Sequence, residues 1–362
     1  MSLKIVKGDA LPMGIDIADG QIKIAQVRMT QEKCELIAAG SASLPVGKDE
    51  SPRTRKSNII RAIKSILKSQ SFSGKKAVLS LPASASFVRH VRVPKLAPEE
   101  TADAVKWELD GKLPYSVEEA VIRHVVAGDV YGEGESKQEV IAVAAHRDTV
   151  QDYIDIAKKC KLDIVGIDVE ACALVECFAR LFRRTEDQSR TILFIDLGQD
   201  STQVVLTHGN RMVFARNLDT AGRHLDAAVA DGLDISVEQA NELRRDLQRE
   251  QADEQAEGEL ENILEKPLAT LTDELMQCMR YYETVFRNQG VERAIFVGGQ
   301  AFDKHLCQTI AQRLNLPAQI GDPLVRMELL PGAGSESGLD RRQPQPNWAV
   351  AVGLSLSQTV AA

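Results

Sequence analysis

From residue 12 to residue 46 apolar and polar positions alternate with period two, broken at "ADG" (18–20) and "TQEK" (30–33). That pattern predicts three antiparallel strands, with Asp19-Gly20 as a tight turn carrying a positive φ. The period then changes. Ile59, Ile60, Ile63, Ile66 and Leu67 fall on one face between Arg55 and Gln70, which predicts an amphipathic helix. "KAVLSLP" (76–82) is a short buried strand stopped by Pro82.

A second block, 83–167, reads strand, helix, strand, strand, helix, strand. "SFVRHVRVP" opens it, a helix over 98–112 follows with Pro98 in its first turn, and "AVIRHVVAG" and "QEVIAVAAH" form two strands around a loop at 128–138. A helix over 147–160 and the strand "LDIVGID" close this compact α+β insert. Beyond it come a helix over 168–183 and three strands in "TILFIDLGQDSTQVVLTHGNRMVFARNLD", with a Gly-Asn turn at 209–210. Several helices span the acidic stretch 236–266, and another covers 271–287. The strand "RAIFVGG", a helix bearing Leu306, Ile310 and Leu314, the linker "DRRQPQPN" and the closing helix "WAVAVGLSLSQ" finish the chain. "GAGSESG" (332–338) reads as loop.

One repeat organises these elements. "GIDIADGQIKIAQV" (14–27) superposes on "FIDLGQDSTQVVLT", bringing Asp16 onto Asp196, Gly20 onto Asp200 and Ile24 onto Val204, 180 residues apart. A period of half the chain means two similar halves rather than a solenoid. Two such halves facing each other enclose a cleft between mixed sheets flanked by helices. Each hairpin then aims backbone N–H groups at the cleft as an anion-binding concavity. The aspartates ending the first strands, Asp16 and Asp196, suit magnesium held through water.

Composition and charge narrow the function. Only 4% of residues are aromatic and the net charge is −8, which argues against a nucleic-acid platform. The charge is uneven: from Ser51 to Pro98 there are eleven Lys or Arg and no acid, whereas acids dominate from Asp231 to Glu274. Two solvated helix faces are the simpler explanation, and a basic face turned toward an anionic membrane is the alternative. The six cysteines contain no CxxC pair and read as reduced, mostly buried thiols. The six histidines show no metal-binding spacing. The start is too polar for a signal peptide, no apolar run is long enough to span a bilayer, and the tail carries no basic amphipathic anchor. P-loop, HExxH and GxSxG patterns are absent from the sequence.

The layout resembles the actin-like ATPase superfamily, a duplicated ribonuclease H-like α/β fold of two lobes. The resemblance covers nearly the whole chain: "GIDIADGQIK" and "IDLGQDST" match its two phosphate loops, "FVGGQA" its adenosine turn, and "VEACALVECFA" and "WAVAVGLSL" its two connecting helices. Within it, "VLSLPASASFVRHVRVPKL", "EETADAVKWELDGKLPY" and "LDISVEQANELRRDL" resemble the type IV pilus assembly protein PilM family, relatives of the division protein FtsA. The resemblance implies a first-lobe segment at 12–82, a small α+β insert at 83–167, and a connecting helix plus second lobe at 168–362 whose last helix returns to the first lobe. It also implies a cytoplasmic scaffold, peripheral to the inner membrane, that binds ATP with magnesium and the cytoplasmic N-terminus of a single-span PilN-like protein. Self-association is compatible with such a scaffold; direct membrane insertion and nucleic acid are not expected.

The residues implied for nucleotide are Ala18, Asp19, Gly20 and Lys23 in the first loop, and Gly198, Gln199, Asp200, Ser201 and Thr202 in the second. Gly222, in "TAGRHLD" before a helix, and Gly298, Gly299 and Gln300 complete the set. Glu170 stands where some members place a water-orienting acid; a favourable charge at a helix start explains it equally. The first loop departs from the family pattern. Ala18 adds a Cβ where backbone should meet phosphate, and Asp19 would repel a polyphosphate by about 4 kcal/mol at roughly 4 Å. Hydrolysis is therefore expected to be slow at most. A nucleotide-free adaptor is the main alternative, and a small-molecule kinase using Asp200 a weaker one. Thr202 also suits a strand facing a core. Trp107 and "KLPY" (112–115) read first as core, with a peptide groove as the alternative.

Overall fold

A computed structural model of the chain describes residues 10–30, 33–45, 51–130, 136–182, 184–247, 254–286, 290–334 and 337–357. The first half begins with β1 (Met13–Ile17), β2 (Gln21–Met29) and β3 (Cys34–Ser43), then α1 (Pro52–Ser69) and β4 (Lys76–Leu81). Ser51 caps α1 by accepting from the Thr54 amide at 3.2 Å, with Pro52 preset for the first turn. Ile59, Ile63 and Ile66 are the face it buries. The tight turn between β1 and β2 closes by Ala18 N–H donating to Gln21 O at 3.1 Å. Among the described residues Gly20 is not one of the positive-φ glycines, whereas Gly209, in the Gly-Asn turn of the second half, is, with φ 60°.

The insert comprises β5 (Phe87–Pro94), α2 (Pro98–Leu109), β6 (Ala120–Val130) and β7 (Lys137–His146). Its three-stranded sheet has order β5-β7-β6, and Val105 and Leu109 of α2 pack on Val91, Val93 and Val140. α2 stops at Leu109, short of the expected residue 112: Asp110 is extended at ψ 131°, and Gly111 after it is left-handed at φ 70°. Part of the loop expected at 128–138 lies outside the described residues.

Next come α3 (Arg147–Lys159), β8 (Asp163–Val169) and α4 (Glu170–Ala179). β8 pairs in parallel with β4, so it completes the first lobe's six-stranded sheet, β14-β3-β2-β1-β4-β8. Here β14 is Met327–Leu329, a short edge strand beside β3. Within the insert drawn at 83–167, β8 thus joins the first lobe's sheet, and α3 packs on α1 as well as on the insert's β6 and β7.

The second half repeats the order. β9 (Thr191–Leu197), β10 (Thr202–His208) and β11 (Arg211–Leu218) precede α5 (Gly222–Leu233), α6 (Val237–Leu247) and α7 (Glu254–Val285). Then follow β12 (Arg293–Val297), α8 (Lys304–Leu314) and β13 (Ala318–Ile320), in a five-stranded sheet of order β11-β10-β9-β12-β13. The segments expected as separate helices across 254–287 are the single α7, which carries Pro267 inside it. The chain ends in α9 (Ala349–Leu356).

α4 and α9 pack against each other between the sheets, inside an apolar cluster that takes residues from both lobes. Their approach depends on two glycines. A Cβ on Gly353 would collide with Ala173 O of α4, and one on Gly14 with Ala351 O of α9. These backbones therefore lie closer than any side chain allows, which fixes the two lobes about one crossing point.

Candidate functional site

The two hairpins share one geometry. Asp16 sits across from Lys23 in β1–β2, and Asp196 across from Gln203 in β9–β10. Ala18 N–H donates to Gln21 O and Gly198 N–H to Ser201 O, each at 3.1 Å. The carboxylates near the ends of β1 and β9 lie close enough for the charge of Asp16 to act on Asp196, and Lys23 acts on both. Glu170, at the start of α4, joins them, since Asp196, Asp16 and Asp19 all act on it.

Three acids and one ammonium in a nearly dry place have predictable electrostatics. Burial pushes Asp196 up to about 7, helped by Asp16 and opposed by Lys23. Burial also raises Asp16, against Lys23 and a 3.4 Å hydrogen bond from Ser80 Oγ. Glu170 is raised well above the carboxylate range by burial and by the other acids. Lys23, only 7% exposed, is lowered by burial and held up by Asp16 and Asp196. Lys23 thus neutralises the cluster from within. Among the described residues no group of three or more His, Cys, Asp or Glu stands close enough to ligate a metal directly.

At the rim of the first loop Arg55 of α1 holds the turn. Its Nη1 donates to Asp19 O at 2.6 Å, and its Nη2 to Ala18 O at 3.3 Å and to Asp19 Oδ1 at 3.2 Å. Asp200 of the second loop lies opposite. Burial and the Asp19 charge raise it, while Arg223 and Arg55 lower it.

The second lobe contains a chain of polar side chains that the sequence reading missed. Gln199 Nε2 donates to Asp226 Oδ2 at 2.7 Å, and Gln300 Nε2 donates to Gln199 Oε1 at 2.8 Å. Arg244 of α6 donates from Nη2 to Gln300 Oε1 at 2.8 Å and from Nη1 to Asp226 Oδ1 at 2.5 Å. Asn241 adds a 2.7 Å bond to Asp226. Asp226 and Arg244 are almost fully buried, and Arg244 Nε has no partner. One sequence signal was available: Asp226 follows Leu225 on the same buried face of α5 as Val229 and Ala230, where an acid needs a partner.

The residues expected to receive nucleotide divide accordingly. Gly222 is buried beneath the two glutamines; a Cβ there would lie 2.6 Å from Gln300 Nε2 and 2.7 Å from Gln199 Oε1. Its amide donates to Gly198 O and that of Arg223 to Gln199 O. Thr202 is fully buried and gives its hydroxyl to Thr220 O at 2.7 Å, so it serves the strand. Gly298 takes φ 90° because Asp196 Oδ1 and Leu197 O lie where a side chain would be. Gly299 is exposed and Ser201 half-buried. In this arrangement Gln199 and Gln300, bonded to each other, lie directly over Gly222.

A different surface stands open on the insert. Trp107 is 82% exposed, so it is not the core residue expected; α2 turns Val105 and Leu109 inward instead. Leu96 is also exposed. The insert also carries a cavity of about 250 Å³, lined by Lys106, Glu118, Ile122, His124 and Arg147 among others. Of "KLPY", Lys112 is exposed and pairs with Glu108, while Tyr115 packs edge-on against Phe87 and His146. No described helix is long and apolar enough to cross a membrane, and Cys160, Cys172, Cys177, Cys278 and Cys307 are free thiols.

Solved structures share this architecture. The chain is similar to one described as a PilM-PilN type IV pilus biogenesis complex: 22% identity over 95% of this chain and 97% of that one, TM-score 0.78. It is similar to the ethanolamine utilization protein EutJ from Carboxydothermus hydrogenoformans at 12% identity, covering 96% and 89%, TM-score 0.56. It also matches MreB 5 of Spiroplasma citri bound to AMPPNP at 12% identity, 94% of each chain, TM-score 0.50. At such identities these likenesses establish the two-lobed actin-like fold. The family model of type IV pilus assembly protein PilM matches residues 14–359, and the chain belongs to that family.

Proposed function

We propose that this chain is a scaffold of the inner-membrane assembly platform of a type IV pilus or a related secretion system, and that it binds the cytoplasmic N-terminal segment of a PilN-like single-span protein. The observation that carries this reading is the PilM family match across 14–359, together with the likeness to a PilM-PilN complex. The exposed surface of the insert is where we place the contact. Trp107 and Leu96 offer apolar anchors on an otherwise polar face, and Lys106, Glu118 and Arg147 beside the cavity offer charged partners. The scaffold is then cytoplasmic and held at the membrane by its partner. Fluorescence anisotropy with a labelled partner segment tests this reading. Saturable binding, weakened at least tenfold by Trp107→Ala, is expected; no binding by the full chain rejects it.

A second reading, magnesium–ATP in the cleft, is favoured by the gathering of three acids, Asp16, Asp196 and Glu170, around the single ammonium of Lys23, since a bound cation would favour their ionised forms. Asp16 and Asp196 would hold a hydrated magnesium, which would supply the charge that a triphosphate requires. Ala18, Asp19, Gly20, Gly198, Asp200 and Ser201 would line the phosphate end, and Gly299 the far end. This reading requires the Gln199–Gln300 bridge to open first. Hydrolysis, with Glu170 orienting water, is at most slow, because Glu170 is held toward its neutral form at the pH where a base is needed.

A further inference from the structure

The acid-free run of the sequence gathers into one surface. Arg61, Lys64 and Lys68 project from α1, and Lys75 and Lys76 lead into β4. Lys158, Lys159 and Lys161 sit at the α3–β8 turn. All eight are exposed, and the three segments are neighbours. α1 packs on α3, Cys160 Sγ lies 3.8 Å from Ile60 O, and the Lys64 charge reaches the Cys160 thiol. Asp163 N–H donates to Lys75 O at 2.8 Å, and Asp163 is in register with Lys76.

The surface is not neutralised. Lys56, also on α1, takes Asp152 and Asp155, at 2.6 and 3.9 Å. Among the described residues none of the eight basic side chains has an ion-pair partner, and Asp163 is the acid that lies within the patch. On a chain of net charge −8 such a concentration of like charge raises the energy of the free protein unless a counter-surface meets it. The chemistry of the patch restricts that surface. Seven of the eight cations are lysines, hydrated point charges on flexible stems that select no geometry, rather than guanidinium forks suited to a single phosphate or carboxylate. The cavity described on the insert lies at the Arg147 end of α3, away from these lysines. Diffuse charge without a pocket fits a diffuse anionic plane.

We propose that this face lies against the anionic headgroups of a bilayer, as a second, electrostatic membrane contact beside the one made through the partner. It rests on the membrane-platform reading of the family, but it is tested without the partner. Each lysine near an anionic surface contributes roughly fivefold to partitioning.

The test is flotation of the full chain with vesicles of phosphatidylcholine alone or mixed with phosphatidylglycerol. Co-flotation with the anionic vesicles only, reversed by high salt, is expected. A Lys64→Glu, Lys75→Glu, Lys159→Glu triple variant is expected to lose binding by more than a hundredfold while keeping its melting temperature and its affinity for the partner segment. That last measurement separates this proposal from the partner reading. No flotation with anionic vesicles, equal flotation with neutral ones, an unaffected triple variant, or retention on polyglutamate or duplex DNA in place of vesicles overturns it.

Discussion

Asp16 and Asp196 occupy equivalent positions at the ends of β1 and β9, and the charge of the first raises the second across the cleft they share. Burial is the larger cause, and together they hold Asp196 at about 7. A carboxyl raised on folding keeps its proton more tightly in the folded chain. Its contribution to stability is therefore complete below the unfolded value near ~4 and is lost as pH climbs to about 7. Asp196→Asn keeps the shape and removes the charge. It is expected to leave the melting temperature unchanged at pH 4 and to raise it by a few degrees at pH 8. A fall at pH 8 would mean that attraction to Lys23 outweighs burial and Asp16.

The glutamine bridge yields a second prediction. Gln199→Ala with Gln300→Gly removes both amides from above Gly222, and Arg244 keeps Asp226. Calorimetry is expected to show magnesium–ATP binding at least tenfold tighter in the double variant than in the wild-type chain. Equal affinity would mean that the bridge does not obstruct the cleft.

Lobe packing is tested at Gly353. A methyl group there meets the Ala173 carbonyl, backbone that cannot turn aside. Gly353→Ala is expected to cost about 3 kcal/mol or more in denaturant unfolding. Gly299→Ala, with nothing within 4 Å of its Cβ, is the control and should cost about 0.5 kcal/mol or less.

The insert is tied to the second lobe through Glu139, which is fully buried. It accepts from Tyr281 Oη at 2.5 Å and from Arg92 Nε at 3.1 Å, and lies 3.1 Å from His90 Nδ1. His90 in turn stacks on Phe214, with centroids 4.7 Å apart. Burial opposes the charge of Glu139, but bonds from His90, Tyr281 and Arg92 overcome it and lower its pKa. A lowered carboxylate stabilises above its unfolded value and loses that contribution as pH falls through the folded one. Glu139→Ala is expected to destabilise by about 2–4 kcal/mol at pH 7 and by less at pH 4. Tyr281→Phe should cost about 1 kcal/mol. Equal losses for Glu139→Ala at both pH values would contradict the ionised assignment.

The duplicated fold was legible in the sequence because its signal is local: the βββ pattern repeats with its aspartates in register, and hairpin spacing fixes each aspartate at a strand end. The sheet assignment of β8 was not, since a parallel pairing between residues 76–81 and 163–169 leaves no trace in either segment's period. β13 and β14, three residues each, are too short to show a period at all. In the site, Asp16 and Asp196 were singled out through the repeat and Lys23 through the family resemblance, and the charges of the three act on one another in the structure. Arg55 and Arg244 were missed because their roles depend on where a distant helix lands, and a basic residue on a helix usually faces water. Trp107 misled for the opposite reason: a lone aromatic in a helical pattern normally points inward.

The measurement that tests the account most directly is the affinity of the full chain for the cytoplasmic segment of its PilN-like partner, with and without magnesium–ATP. A scaffold whose partner contact lies on the insert, away from the cleft, is expected to bind the segment equally well in both conditions. Binding that appears only when nucleotide is present would contradict it.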